Sequence, residues 1–333
     1  MKSGHKNYDS IFSNFTPQNK IMEKEALISP NPYHVPALLT EALDLLDIRP
    51  DGIYVDVTFG GGGHSRGVLS RLGQKGRLIG FDRDIDALAN VPDDSRFLFI
   101  HSNFRYIRNF LRYHGIGKVD GIIADLGVSF HHFDTPERGF SFRADSPLDM
   151  RMNREAPLTA ADLIASATEE ELIDLLKKFT DLKRASGMAK AIVKAREEAP
   201  VDSTFRLLEA IRGAIDPRQE KKELAQVFQA FRIATNHEID DLRIFLESTL
   251  HVLRPGGRLA VLTYHSVEDR MVKNFMKTGN TQGKEEKDFF GNFSTPWKIL
   301  TRKPIEPSPQ EIESNPRSRS ARLRVAQLKE ENG

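Results

Sequence analysis

The chain has 333 residues, a net charge of +1 and no cysteine. The missing cysteines exclude a disulfide framework, a thiolate zinc site, an iron–sulfur cluster and a cysteine nucleophile. The near-neutral total argues against a nucleic-acid partner, whose phosphates favour a basic surface. At about 150 residues per domain the length suggests two domains. The composition, 39% apolar and 29% charged, is globular. No run approaches the ~18 apolar residues of a membrane span. Residues 1–30 read as a polar tail without a signal-peptide core, so a cytoplasmic protein with no membrane partner is expected.

In chain order, residues 35–46 carry apolar residues at helical spacing and close at the turn Arg49-Pro50-Asp51-Gly52. A strand over 53–57 leads into Gly60-Gly61-Gly62-Gly63 and a helix to about Leu72. Strands follow at 77–82, 96–100 and 119–125, with a short helix over 85–90 and a longer one over 104–114 between them. Strands separated by helices of this length imply parallel pairing in a doubly wound sheet. Residues 130–157 look irregular, and 159–215 are helical without a strand. Helices over 225–232 and 238–253 end at Arg254-Pro255-Gly256-Gly257, and a fifth strand is expected over 258–264. The α/β pattern thus resumes after roughly a hundred helical residues, enough for an inserted domain. A helix over 267–277, a polar mobile loop over 278–292 and two strands at 297–301 and 321–326 complete the chain. The loop between those strands is too short for a buried crossover, so they should pair antiparallel at the sheet edge.

The sharpest feature is Asp56-Val57-Thr58-Phe59-Gly60-Gly61-Gly62-Gly63-His64, where a strand hands over to a helix. Glycines there let the backbone approach a ligand and aim free amides at it. Asp82 ends the next strand, about 20 residues on, where a ribose-hydroxyl acceptor belongs. The dinucleotide and phosphate-loop fingerprints both fail: the sixth position from Gly60 is Ser65, and Gly67 is followed by Val68. Asp56 would repel a pyrophosphate but could accept from an ammonium group. S-adenosylmethionine has that ammonium and no phosphate. A Gly-rich turn without a ligand is the competing reading. Asp125 ends the fourth strand and would face the same crevice, or else cap a loop. Phe104 would stack on an adenine or pack in the core. His131, His132 and Asp134 lack the partner spacing of a metal site, so no metal is expected.

These motifs resemble the bacterial small-subunit ribosomal RNA cytosine-N4 methyltransferases, the MraW/RsmH family. The resemblance runs through Tyr33-His34-Val35-Pro36, the glycine loop, Phe81-Asp82-Arg83-Asp84 and Asp120 to Ser129. It continues through Glu137-Arg138-Gly139-Phe140-Ser141-Phe142, Pro147 to Met152, Ala230-Phe231-Arg232-Ile233 and Arg254 to Leu259. His265-Ser266-Val267-Glu268-Asp269-Arg270 and Asn315 to Ser320 complete it. It implies an α/β class I S-adenosylmethionine-dependent methyltransferase fold, Rossmann-like and mostly parallel with an antiparallel edge hairpin, carrying an inserted all-helical domain. The implied organisation is a tail over 1–30, a methyltransferase core over 31–133 and 231–333, and a helical substrate-recognition insert over 134–230.

The implied cofactor contacts are Gly62, Gly63, His64, Asp82, Phe104 and Asp125. The family's further glutamine contact falls on His132, in the run Ser129-Phe130-His131-His132. The implied substrate is a cytosine in the decoding region of 16S rRNA, in the assembled small subunit, methylated on its exocyclic amine; a homodimer is left open. That amine is a weak nucleophile, so placement should carry much of the rate. An acceptor for its hydrogen would help as charge develops. Asp125 and His265 are the catalytic candidates; His265 and Ser266 border the same crevice, where they would contact the base or else cap a loop. RNA contact is expected from Arg138, Phe140, Arg151, Arg317 and Arg319, arginines reaching phosphates and aromatics stacking an unpaired base. Residues 315–329 carry five basic residues and no acid, whereas 168–174 carry four acids, so the total charge hides a basic face and an acidic one. A small-molecule methyltransferase with a helical lid, and an RNA-assembly factor with a vestigial cofactor site, are the competing functions.

Overall fold

The alternation of apolar runs and helical stretches folds into a doubly wound sheet. The computed structural model describes residues 36–128, 130–287 and 293–330, all within the unit His34–Gly333. The first half runs α1 (Leu39–Leu46), β1 (Ile53–Asp56), α2 (Gly63–Arg71), β2 (Arg77–Asp82), β3 (Phe97–His101), α3 (Ile107–Tyr113), β4 (Val119–Asp125) and α4 (Phe130–Asp134). Then come α5 (Ala160–Ser166), α6 (Glu169–Phe179), α7 (Ala185–Glu198), α8 (Thr204–Ile211), α9 (Glu220–Thr235) and α10 (Glu238–Val252). The sheet resumes with β5 (Leu253–Thr263), followed by α11 (Ser266–Thr278), β6 (Glu286–Lys287), β7 (Phe293–Ser294), β8 (Trp297–Ile299), α12 (Pro309–Ser314) and β9 (Arg322–Leu328). Among the described residues no helix is long and apolar enough to cross a membrane.

The main sheet has the order β3-β2-β1-β4-β5-β9-β8. β1 to β5 run parallel, and β9 pairs antiparallel with both β5 and β8, as the two late strands imply. Winding reverses between β1 and β4, and ligands in such sheets bind beyond the strand ends at that point. Residue alternation sorts each strand between two faces. Val55, Ile79, Ile122 and Val261 pack with α3, α10 and α11. Tyr54, Leu78, Ile123, Ala260 and Val325 pack with α1 and α2.

The helices between β4 and β5 share a further apolar core, which includes Leu172, Met188, Leu207, Val227 and Phe231. α9 crosses position 230 without a break, and Phe231, Ile233 and Ile239 also belong to that core. The acids of 168–174 have a local reason. Thr168 and Glu171 form a capping box, and Glu169, Glu170 and Glu171 sit in the first turn of α6, where the helix dipole favours negative charge.

Several elements differ from expectation: 130–157, read as irregular, opens with α4 (Phe130–Asp134), and α9 is longer than the expected 225–232. The first helix starts at Leu39, and Val35 lies outside the described residues. β5 starts at Leu253, because the Pro255-Gly256-Gly257 stretch bulges out between the Val119–Leu253 and Gly121–Arg258 pairs. In place of a uniform loop after α11, β6 and β7 form an antiparallel ladder; residues 288–292 lie outside the described residues.

Candidate active site

The glycine loop is fixed from below before it meets any ligand. The Phe59 N–H donates to Phe81 O at 2.8 Å and the Gly62 N–H to Phe59 O at 2.7 Å, which turns the chain sharply. Gly62 has φ +72°, and a Cβ there would also meet the Phe59 ring at 3.0 Å. Gly63 opens α2 against Pro36, which a Cβ would strike at 2.8 Å. Only glycine fits these two positions without displacing neighbours.

Asp56 is turned into the loop. Its side chain is buried; Oδ2 accepts from the Ser65 hydroxyl at 2.7 Å and Oδ1 from the Thr58 N–H at 3.1 Å. It organises the loop internally, which corrects its reading as an ammonium acceptor. Burial pushes its carboxyl up, with His64 and Ser65 opposing.

Asp82 is held by two backbone amides. Gly60 N–H donates to Oδ2 at 2.7 Å and Asp84 N–H to Oδ1 at 2.8 Å. Each oxygen keeps a further lone pair for a ligand hydroxyl. Burial raises its pKa, against those two amides. The following acid, Asp84, accepts at Oδ2 from His132 Nε2 at 2.6 Å and sits 3.1 Å from Arg138 Nη1. Burial would raise Asp84, but His132, the Asp86 amide and Arg138 together hold it down at about 2.

Asp125 sits in a different setting. Its N–H donates to Thr58 Oγ1 at 2.6 Å, Oδ1 accepts from the Tyr264 hydroxyl at 2.7 Å, and Oδ2 lies 3.6 Å from His64 Nδ1. Burial pushes this carboxyl up to about 7; the Tyr264 hydroxyl opposes the rise and Glu268 adds to it. Burial and the neighbouring carboxylates keep Tyr264 a neutral donor, its pKa well above the usual tyrosine value. His64 is 5% exposed, and among the described residues its Nε2 has no hydrogen-bond partner. Burial lowers its pKa, so it is a neutral ring with one nitrogen open. A buried orphan nitrogen beside a glycine cradle and a strand-end acid fits a polar ligand there.

The remaining candidates divide. Phe104 is buried, edge-on to Phe245 at 5.3 Å, with the Arg83 guanidinium 5.8 Å from its ring. His132 is inside, bonded to Asp84 and tilted against the Phe140 ring at 4.7 Å. His265 caps α11: the Glu268 N–H points at Nδ1 (3.4 Å), and Nε2 lies 2.9 Å from Glu268 Oε1. Its ring is turned to Glu268, as the loop-capping alternative requires, while Ser266 is exposed.

Several arginines expected to meet RNA are committed within the protein. Arg138 is 2% exposed and Phe140 5%, so neither lies on a face open to RNA. Arg151 forks onto Asp149 (2.8 and 2.7 Å) and donates its third nitrogen to Ala156 O at 2.7 Å. Arg317 pairs with Asp134 at 2.8 Å, and Arg324 is buried against Asp269 at 2.6 Å. Arg319 is exposed, with no acidic partner among the described residues. The run of four arginines and one lysine is therefore not an open basic face, because acids from α4 and α11 come back to it.

Sequence reasoning missed Tyr264, Thr58 and the Arg138–Asp84 pair. Tyr264 had one signal, a polar aromatic at a strand end next to His265 and Ser266.

The model of the MraW methylase family matches residues 31–329. A protein of Parabacteroides distasonis named ribosomal RNA small subunit methyltransferase H is 58% identical over 296 residues, 89% of this chain and 97% of the relative. A protein of the same name from Bacteroides thetaiotaomicron is 56% identical over 308 residues, 92% of this chain and 100% of the relative. A crystal structure of a putative rRNA-methylase from Clostridium thermocellum aligns over 89% of this chain and 99% of its own, with TM-score 0.41 and 13% identity, too distant to bear on function.

Proposed function

The chain belongs to the MraW methylase family, and from that premise we propose that it transfers a methyl group from S-adenosylmethionine to the N4 amine of a cytosine in 16S rRNA. Its sheet order and edge pair are those of the class I methyltransferase fold. The substrate class follows the names of the relatives, and the assembled small subunit is taken as its form. The observation that carries the chemistry is Asp125: a strand-end carboxyl held at about 7, bonded to one hydroxyl and facing His64 beside the glycine loop.

S-adenosylmethionine supplies an electrophilic methyl on a sulfonium. Asp82 would accept from the ribose hydroxyls through its free lone pairs, and Gly62 and Gly63 would let the backbone close on the ligand. The open Nε2 of His64 would meet a polar group of the cofactor, and Phe104 would border the adenine. His132, bonded to Asp84, acts on the ribose side through that acid. The N4 lone pair is delocalised into the cytosine ring, so alignment with the methyl carries much of the rate. As N4 attacks, positive charge develops on it. Ionised Asp125 accepts its N–H and then takes the proton. His265 orients Glu268, which accepts from the Tyr264 N–H and so sets the strand end that carries Tyr264. The helical residues 134–230 form the RNA-recognition insert, with the exposed Arg319 on the RNA side.

The test is tritium transfer from labelled S-adenosylmethionine to small subunits, free rRNA and a metabolite pool, with labelled RNA digested to nucleosides. The expected product is N4-methylcytidine from small subunits. Label in metabolites alone would replace the proposal with a small-molecule methyltransferase. Cofactor binding without any transfer would leave an assembly factor.

A further inference from the structure

Arg138 is a charged side chain deep in the protein that the chemistry above does not use. Its place is set by Gly139, at φ +70°, whose missing Cβ would meet Pro147 O at 2.4 Å and Asp149 N at 2.9 Å. That close approach presses residues 136–139 onto the 147–152 loop and turns Arg138 inward. Its Nη1 lies 3.1 Å from Asp84 Oδ2 and 2.9 Å from Asp86 Oδ2. Its Nη2 donates to the carbonyls of Arg151 (3.0 Å) and Met152 (3.1 Å). The loop it grips is tied in turn to α9. The Met152 N–H donates to Asn236 Oδ1 at 2.8 Å, and Asn236 Nδ2 donates to Met150 O at 2.7 Å. A second bridge returns to the acid turn, from Arg83 Nη1 to Asn236 O at 2.9 Å.

A buried guanidinium is costly to desolvate and persists where acids and carbonyls take its protons. Here Nη1 is spent on two acids that flank one turn and Nη2 on the loop opening the helical segment, while the buried Nε has no partner among the described residues. Asp84 turns its amide and both carboxylate oxygens towards the same end. Its N–H holds Asp82 Oδ1, its Oδ1 caps the Asp86 N–H, and its Oδ2 takes His132 and Arg138. The side chain of Asp84, held at Oδ2 and capping the Asp86 N–H with Oδ1, pins the turn whose backbone amide orients Asp82. The turn also concentrates Asp82, Asp84 and Asp86 within five residues, and Arg138 is the cation set between the last two.

We propose that Arg138 is a positioning residue for cofactor binding: through Asp84 it fixes the orientation of the Asp82 carboxylate, so the loop that opens the helical segment helps set cofactor affinity. The proposal rests on the reading of Asp82 as the ribose acceptor. It gives Arg138 an inward role in place of an RNA contact. By linkage, whatever displaces that loop weakens cofactor binding, and a bound cofactor resists its displacement.

The experiment is calorimetric titration of the full chain with S-adenosylhomocysteine. Arg138→Met should raise Kd about tenfold, the size of one charge-assisted hydrogen bond. Arg138→Lys, which keeps the charge but not the fork, should fall between the two. In transfer assays the effect should appear in the cofactor KM and leave kcat at saturation nearly unchanged. Arg324→Met breaks another buried arginine–aspartate pair, with Asp269; it should lower the unfolding midpoint and leave Kd alone. Should Arg138→Met not fold, Arg138→Lys and the milder Asp86→Asn carry the test. The decisive step is a double-mutant cycle: in an Asp82→Ala background, Arg138→Lys should add nothing to the loss. Additive losses, or an unchanged Kd in folded Arg138 variants, would overturn the positioning role. An unchanged Kd in Asp82→Ala alone would instead overturn the ribose reading.

Discussion

Two strands flank β1, and each delivers acids to the crevice in an opposite electrostatic setting. At the end of β2, Asp84 is fed by His132, Arg138 and the Asp86 amide, and is held at about 2. At the end of β4, Asp125 has a tyrosine hydroxyl on one oxygen, a lowered-pKa histidine at 3.6 Å and Glu268 behind it, and it rests at about 7. Asp84 is buried and Asp125 partly so; the larger difference is who shares the space. An acid held by a guanidinium, an imidazole and an amide is a permanent charge, suited to fixing geometry. An acid with a neutral donor and another acid nearby can exchange a proton near neutrality, which suits a group that accepts one during a reaction.

Replacing Asp125 should show the largest effect. Asp125→Asn keeps the shape and an acceptor for the Tyr264 hydroxyl but removes the proton acceptor. Transfer at saturating cofactor should fall by about 10²–10³, the usual size for one well-placed electrostatic group. S-adenosylhomocysteine affinity should change far less. Single-turnover rates beside calorimetry separate the two, and a variant that turns over normally would erase the contrast between the two strand ends. Asp82→Ala comes next and should act in reverse: roughly 10- to 100-fold weaker cofactor binding from the loss of a charged acceptor, with kcat largely kept once the cofactor saturates. An equal fall in kcat would mean that the β2 end also takes part in the chemical step.

Stability should separate the ends by sign. The folded-state pKa of Asp84, about 2, is depressed below its ordinary value. Its contribution is therefore present above pH 4 and lost as pH falls through 2, on the order of 2 kcal/mol. The folded-state pKa of Asp125 is raised to about 7. Its protonated form is favoured in the fold, so it contributes at low pH and loses that contribution as pH rises from 4 through 7. Urea unfolding should find Asp84→Asn weakened at pH 7, with the deficit shrinking below pH 4. Asp125→Asn should gain on the parent as pH rises towards 8. The same sign for both variants would mean that the two environments are not opposed.

The strand ends were legible in the sequence, but their environments were not. The glycine loop, the acids Asp82 and Asp125 and the antiparallel edge follow from local pattern: apolar runs, turn residues and spacing within one βα unit. The protonation behaviour of each acid depends on partners far along the chain, and periodicity carries no information about these. Tyr264 reaches Asp125 across 139 positions, and Arg138 reaches Asp86 across 52. Arg138 and Phe140 look like surface residues because an arginine interleaved with phenylalanines often faces nucleic acid. What turns them inward is the missing Cβ of Gly139 against Pro147 and Asp149. The run from 315 to 329 misleads in the same way: it holds no acid of its own, yet Asp134 and Asp269 return to it in space.

The smallest expected effect isolates one hydrogen bond. If Asp125 must be ionised to accept the N4 hydrogen, the rate at saturating cofactor should rise with pH along a limb centred near 7. The groups facing that carboxyl are Tyr264 from the end of β5, Glu268 from α11, and His64 from α2 with Asp56 behind it. His64 is kept neutral by burial and Tyr264 stays protonated, so neither should add a limb of its own in this range. The Tyr264 hydroxyl bonds to the charged form and pulls the Asp125 pKa down against burial. Tyr264→Phe removes that one bond and leaves the ring in place, so the limb should move to higher pH by about one unit, the equivalent of one hydrogen bond. The plateau at high pH should be nearly unchanged, because Asp125 is ionised there with or without the hydroxyl. A variant whose whole profile drops without moving would make Tyr264 a packing residue only. A limb that stays at 7 would assign the titration to another group and remove the β4 end from the proton transfer.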